Sequence, residues 1–339
     1  MSELGEDATI LTVQGLKKYF EIRRGLFANP IYVKAVDGVD FVLKKGEAIS
    51  IVGESGSGKT TLGMTILRMH DPTEGSITVR DKDITHLSQK DLMWYRKEAS
   101  LIQQDPFGAL PSFFSVYRIL EEPLIIHNMG DRQERRERIH RALQEVRLTP
   151  IEDFAQKYPH MLSGGQLQRV AIARALILEP ELIIADEPVS MLDASVRIEV
   201  LTLLRELQNE KGISFIYITH NLATTKYFSE RLFIMYAGKV IESGAIRDVI
   251  MEPLHPYTQA LLRAIPDPDP ENKNRIRDIP GGEPPNLVAP PPGCRFHPRC
   301  PFAKNLCKTN PPSVERASGG FALCWLYDDR YDASRANGN

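Results

Sequence analysis

Several features are scarce in this chain, and each scarcity excludes something. Among its 339 residues there is no run of about 18 apolar residues, so no segment is expected to span a membrane. Charge of either sign is not in excess: 42 Lys and Arg stand against 44 Asp and Glu, a net −2. A nucleic acid as bulk electrostatic partner is therefore not favoured. The start, Met1-Ser-Glu-Leu-Gly-Glu-Asp7, is acidic and lacks an apolar stretch, which argues against a secretion signal. A cytosolic protein with reduced thiols is expected. Cysteine is rare, with four in all, each between positions 294 and 324. No internal repeat is visible. Apolar residues at 42% and charged residues at 25% fit an ordinary soluble protein, and the length leaves room for more than one domain.

What is present is a set of apolar runs that each end in polar chemistry. Ala48-Ile-Ser-Ile-Val52 leads into Gly53, Leu182-Ile-Ile-Ala185 into Asp186-Glu187, and Ser214-Phe-Ile-Tyr-Ile-Thr219 into His220. Such runs read as buried parallel strands. Ligands bind beyond the carboxyl ends of such strands, so the motifs are expected to meet on one edge of one sheet. Between Asp105 and Leu162 the pattern turns helical. Asp131–Val146 is charged, with apolar Ile139, Leu143 and Val146 at helical spacing. Its run from Arg132 to Arg141 carries both signs and reads as a solvated face rather than a nucleic-acid patch. After Glu252 the composition shifts to Pro and Gly, as in Gly281-Gly-Glu-Pro-Pro and Ala289-Pro-Pro-Pro-Gly293, which continues neither helix nor central strand.

Gly53-Glu54-Ser55-Gly56-Ser57-Gly58-Lys59-Thr60, with Thr61 beside it, matches the spacing of a phosphate-binding loop. Glycines let backbone N–H groups close around phosphate oxygens, and the helix that starts near Lys59 adds its positive end. Lys59 is expected to bridge the β- and γ-phosphates, and the Thr60 hydroxyl to ligate Mg²⁺. Asp186 would hold Mg²⁺ and Glu187 would polarise an attacking water, their side chains pointing to opposite sides of an extended strand end. Gln104, at the edge of the helical insertion, is suited to contact Mg²⁺ and water; Gln103 is its neighbour and rival. His220 could contact the γ-phosphate, although a lone His is more often structural. Leu162-Ser163-Gly164-Gly165-Gln166 opens a good helix whose free N–H groups and Ser hydroxyl suit a γ-phosphate reached from a neighbouring subunit. Standing alone, the same segment would read as a capped helix start with no ligand.

With these elements in this order, the chain resembles the ATP-binding subunits of ABC transporters over about residues 10–250. The resemblance implies an α/β, P-loop NTPase (RecA-like) core over residues 1–253, with a helical subdomain at about 106–170. It implies ATP and Mg²⁺ as cofactors and assigns Ser190-Met-Leu-Asp193 as the family's D-loop, with Met191 a mild departure from the usual Ser-Ala-Leu-Asp. It also implies an aromatic residue stacked on adenine, Phe20 here, with Tyr19 as a rival or plain packing as the alternative.

A narrower resemblance covers Glu252-Pro-Leu-His-Pro-Tyr-Thr258 and Gly293-Cys-Arg-Phe-His-Pro-Arg-Cys-Pro-Phe302. It points to the oligopeptide/dipeptide importer branch, which also includes importers of oligosaccharides and nickel. Residues 254–339 then form an extension with a Pro-rich linker and a four-Cys site. The branch implies a second homologous ATPase subunit, commonly a different chain, two membrane permeases and an extracytoplasmic solute-binding protein. It places the chain at the cytoplasmic face of the cell membrane. The spacing of Cys294, Cys300, Cys307 and Cys324 fits neither common zinc nor ferredoxin patterns, and leaves the ion open. Members of the branch carry a [4Fe–4S] cluster on a similar quartet, which the resemblance implies here, with Zn²⁺ as the alternative. Four thiolates would fill the coordination without His297. A soluble ABC ATPase acting on ribosomes or DNA is the contrasting reading, but the chain has one cassette and no heptads. A catalytically dead partner is a third, opposed by intact Glu187 and His220.

Overall fold

The computed structural model describes residues 8–23, 29–265 and 281–331. The acidic start, and the stretches 266–280 and 332–339 of the expected C-terminal extension, lie outside the described residues. Strands β1 (Thr9–Ile22), β2 (Ile31–Lys44) and β3 (Ala48–Val52) come first, followed by helix α1 (Lys59–Ile66) and strands β4 (Glu74–Val79) and β5 (Lys82–Asp83). Helix α2 (Met93–Glu98) and strand β6 (Ala99–Ile102) lead into a helical run. That run comprises α3 (Pro106–Ala109), α4 (Val116–Ile126), α5 (Arg132–Glu145), α6 (Ile151–Gln156) and α7 (Gly164–Leu176). Next come β7 (Leu182–Asp186), α8 (Ala194–Lys211), β8 (Ser214–Thr219), α9 (Leu222–Thr225), β9 (Arg231–Tyr236) and β10 (Lys239–Ala245). Helices α10 (Ile246–Met251) and α11 (Pro256–Ala264) follow, and short strands β11 (Ser313–Glu315) and β12 (Phe321–Leu323) lie near the end.

These elements gather into two units. One holds Leu43–Ala48 and His86–Ile218 with the start of β1. The other holds Leu11–Val42, Ile49–Thr85 and the described residues from Thr219 onward.

In the first unit β6, β7 and β8 are parallel, with Ile102 opposite Ala185 and Asp186 opposite Ile218. The five residues of β7 and the six of β8 are buried throughout, which explains their unbroken apolar sequence. The carboxyl ends of β6 and β7 share one edge, where Asp186 ends β7 and Gln104 follows β6. The charged segment expected to be helical is α5. Asp131 and Glu134 close a reciprocal cap at its start, satisfying two backbone donors that a helix end leaves open. Ile139, Leu143 and Val146 are buried, while Arg138 pairs with Glu179 at 3.1 Å on the outer face.

In the second unit β3 runs parallel to β9, and β9, β10, β12 and β11 continue antiparallel. A separate sheet has the order β2-β1-β4-β5. One core cluster joins Val52 of β3 and Ile234 and Tyr236 of β9 to Tyr257 of α11 and to Phe296, with Cys294 and Cys300 packed against it. Tyr257 and Phe296 of the expected C-terminal extension thus share a hydrophobic core with β3, the strand that leads into Gly53.

A buried charge secures this extension. Glu242 on β10 is 0% exposed. It accepts the N–H groups of Leu254 at 2.8 Å and His255 at 2.9 Å, and pairs with the Arg316 guanidinium. Removing one partner of such a pair strands the other charge in low dielectric. Arg316→Ala is expected to destabilise the protein by about 3 kcal/mol, with Glu242→Gln in the same chain restoring part of the loss; denaturant unfolding measures both.

Candidate active site

The phosphate loop leaves β3 at Val52 and enters α1 at Lys59. Two of its glycines have no room for a side chain. A Cβ at Gly53 would stand 2.0 Å from the Met235 carbonyl oxygen, and one at Gly58 2.0 Å from that of Ala35. Gly58 also has φ 102°, which L side chains rarely adopt. Gly56 is left-handed too, at φ 76°. Ser55 and Gly56 are exposed, whereas Ser57 is buried. The Ser57 Oγ is buried with no hydrogen-bond partner among the described residues. A buried hydroxyl left in that state is costly unless a ligand engages it. Lys59 is buried, and its Nζ donates to the carbonyls of Gly53 at 2.8 Å and Glu54 at 2.9 Å. The lysine therefore closes the loop on itself. Thr60 is exposed at the start of α1, and Thr61 is half-buried beside it.

The carboxylates differ from the sequence expectation in one respect. Asp186 is buried at the end of β7, as expected. Glu187 does not continue the strand: its φ is 47°, in the left-handed region. Its separation from Asp186 thus comes from a backbone reversal rather than strand alternation. The turn is held by Glu187 N–H donating to the Ile218 carbonyl at 2.8 Å and by Ser190 Oγ donating to the Glu187 carbonyl at 3.1 Å. Non-glycine residues in this region carry strain, which collects at functional positions. Gln104 and Gln103 are both exposed after β6, and Asp105 caps α3 by accepting from Phe107 N–H at 2.9 Å. His220 is exposed directly after β8.

Ser163 starts α7 with a reciprocal cap. Its Oγ accepts from Gln166 N–H at 3.3 Å, and its own N–H donates to Gln166 Oε1 at 3.1 Å. The Gln166 side chain therefore serves the helix start. Gly164 and Gly165 follow in the first turn, and a Cβ on Gly165 would stand 2.7 Å from Val196 Cγ1 on α8. Asp193, exposed, sits at the N-cap of that same helix without using its carboxylate as a cap. Ser163 to Gln166 and Asp193 thus lie on two packed helices.

On β1, Tyr19 and Phe20 separate. The Tyr19 hydroxyl bonds Asp37, which also pairs with the Arg295 guanidinium. Burial pushes the Asp37 carboxyl up, but that hydroxyl and guanidinium outweigh it and hold it below its ordinary value. Phe20 meets His70 edge-on with ring centroids at 5.4 Å, and Lys18 Nζ lies 5.0 Å from its ring centre.

The four cysteines are free thiols that line one small cavity of about 20 Å³, together with His255, His297 and Trp325. Burial pushes Cys294 up to about 11 and Cys324 up to about 12, and raises Cys300. His255 is buried and pushed down to about 3 by desolvation, so it is neutral. Its Nδ1 accepts from Tyr257 N–H at 3.1 Å, which leaves the proton on Nε2, 3.7 Å from Cys294 Sγ. The donor set suits a soft metal. The expected metal site is nevertheless not formed: no group of three or more His, Cys, Asp or Glu among the described residues is gathered to hold an ion. The cavity has room for about one water-sized sphere, too little for a four-iron cube unless the thiols move apart.

Two residues at the phosphate loop escaped the sequence reading. The Tyr257 hydroxyl accepts from Glu54 N–H at 2.9 Å. Arg299 grips the Glu54 carboxylate with both terminal nitrogens, at 2.9 and 3.2 Å. Burial pulls this guanidinium down, but its hydrogen bonds to Glu54 and Tyr236 hold it above its ordinary value. No local pattern pairs positions 245 residues apart.

Residues 36–190 match the ABC transporter family, and residues 241–307 match the oligopeptide/dipeptide transporter C-terminal region. The oligopeptide transport ATP-binding protein AppF of Bacillus subtilis is 46% identical, over 94% of this chain and 98% of its own. The dipeptide transport ATP-binding protein DppF of Haemophilus influenzae is 40% identical, over 97% and 99%. The chain belongs to the ATP-binding subunits of ABC transporters, in the oligopeptide/dipeptide branch. Its fold is that of an ABC ATPase. A dimeric ATP-binding cassette solved in a post-hydrolysis state with ADP and Pi is similar at 31% identity and TM-score 0.62, over 70% of this chain and 99% of that one. The ABC transporter component cbiO1 of Clostridium perfringens gives 33% and 0.62, over 73% and 92%. Among the described residues no helix is long and apolar enough to cross a membrane.

Gly58→Ala forces the phosphate loop to move. About 3 kcal/mol of strain corresponds to about a hundredfold weaker Mg-ATP binding; titration calorimetry measures it, and affinity within threefold of the wild type contradicts the reading.

Proposed function

We propose that this chain is the ATP-hydrolysing subunit of an importer of di- or oligopeptides, acting at the cytoplasmic face of the membrane. Its partners in this reading are a second homologous ATPase subunit of different sequence, two permeases and an external solute-binding protein. Residues 1–253 form the ATPase region, 106–170 its helical subdomain and 254–339 the extension. The observation that carries the reading is the phosphate loop, with its side-chain-free glycines, buried Ser57 hydroxyl and inward-turned Lys59. The peptide cargo rests on the names of AppF and DppF; oligosaccharides or nickel are the alternatives.

Backbone N–H groups of the loop receive the phosphates, except those of Glu54 and Ser57, which already donate to the Tyr257 hydroxyl and the Glu54 carbonyl. Lys59 leaves the Gly53 and Glu54 carbonyls for the β- and γ-phosphates, at little electrostatic loss because an anion replaces two dipoles. Thr60, Gln104 and Asp186 would hold Mg²⁺, which would screen the phosphate charge. Glu187 and His220 act on the attacking water and the γ-phosphate. Phe20 is assigned the stack on adenine, with Tyr19, whose hydroxyl bonds Asp37, as its rival and plain packing as the alternative. Ser163, Gly164, Gly165, Gln166 and Asp193 complete the site of the other ATPase subunit. Contacts to the γ-phosphate made only in the closed pair let ATP favour closure, and hydrolysis removes them. The similar dimeric cassette bound to ADP and Pi supports pairing.

For the cysteines we propose a [4Fe–4S] cluster, with zinc as the alternative. The support is four buried thiols around one cavity, which would have to spread around the cluster. Anaerobically purified protein that is brown supports the cluster; colourless protein with one zinc per chain replaces it.

Glu187→Gln is expected to keep ATP binding and to lower turnover by about 10²–10⁴. Phosphate release from the assembled importer measures this, and near-normal hydrolysis removes Glu187 from the role.

A further inference from the structure

We infer that Arg299 is a positioning residue for the phosphate loop, through which the cysteine segment and the nucleotide site sense each other. The inference rests on the reading of Gly53–Thr60 as the nucleotide site.

Glu54 puts a carboxylate on a loop read as anion-binding, and like charges repel. Arg299 compensates it. The pair is bidentate, at 2.9 and 3.2 Å, and the side chains are 11% and 31% exposed, so solvent screens it only in part. The guanidinium is itself held. It donates to the Tyr236 hydroxyl at 3.3 Å and lies 5.7 Å from the Phe296 ring centre and 5.9 Å from that of Tyr236. Its backbone belongs to the turn that carries the thiols: Arg299 N–H donates to the Phe296 carbonyl at 2.9 Å, and Cys300 N–H to that of His297 at 3.3 Å.

The other end of Glu54 is fixed as well. Its N–H is taken by Tyr257, and its carbonyl accepts from Lys59. A displacement of the Cys294–Cys300 turn therefore moves Glu54, and with it one acceptor of the lysine that must swing to the phosphates. Coupling of this kind works in both directions. Nucleotide on the loop steadies the cysteine turn, and order in the turn favours nucleotide.

The test uses the full-length chain, Mg-ATP titration calorimetry and backbone hydrogen exchange. Arg299→Ala exposes the loop to an uncompensated carboxylate and is expected to weaken Mg-ATP binding about tenfold. Arg299→Lys restores part of this. Adding Glu54→Gln to Arg299→Ala also restores affinity, because the repelling charge goes with its partner. A purely structural loss would not be repaired by a second deletion. Mg-ATP slows exchange across residues 294–300 in the wild type and leaves it unchanged in Arg299→Ala. If Arg299→Ala does not fold, Glu54→Gln takes its place, and the exchange response must again disappear.

Arg299→Ala binding within twofold of wild type, a double variant no better than Arg299→Ala, or an exchange response that survives each overturns the inference. Lys59→Ala serves as the control. If it binds Mg-ATP like the wild type, the phosphate-loop reading has failed rather than the role of Arg299.

Discussion

Everything proposed for this protein depends on a backbone approach too close for side chains. At Gly53 and Gly58 the phosphate loop presses against the carbonyls of Met235 and Ala35, leaving no space for a Cβ. The contact fixes the path of the loop backbone. The same tightness buries Ser57 and turns Lys59 back onto the loop.

The C-terminal extension extends this principle. It is not an appendage in the second unit, since Phe296, Cys294 and Cys300 pack into the cluster that contains Val52, the residue before the loop. Glu242 with Arg316, Asp37 with Arg295, and Glu54 with Arg299 tie it down at three separate points. Ion pairs that are partly or wholly desolvated hold geometry more firmly than exposed ones. The match to the oligopeptide/dipeptide C-terminal region over residues 241–307 spans one partner from each of these pairs, Glu242, Arg295 and Arg299.

Short-range features were legible in the sequence. The buried strands β3, β7 and β8 came from unbroken apolar runs, and α5 came from the spacing of Ile139, Leu143 and Val146. The tight turn between β3 and α1 was legible because its glycines fall close together in sequence, just before Lys59. Features set by tertiary context were not legible. Glu187 looked like an extended strand residue, yet its left-handed turn is fixed by a hydrogen bond to Ile218 on the neighbouring strand. Arg299 and Glu54 are joined only by folding. Spacing brought the four cysteines to notice but could not show that their cavity is so small or that His255 directs its N–H at Cys294.

The central claim is that bound triphosphate draws two such cassettes together and that its cleavage releases them. The most direct measurement is the distance between spin labels placed on the two ATPase subunits of the assembled importer, with Glu187→Gln holding ATP uncleaved. The account predicts a short, narrow distance distribution with Mg-ATP and a longer one with ADP or no nucleotide. The same distribution in all three states would contradict it.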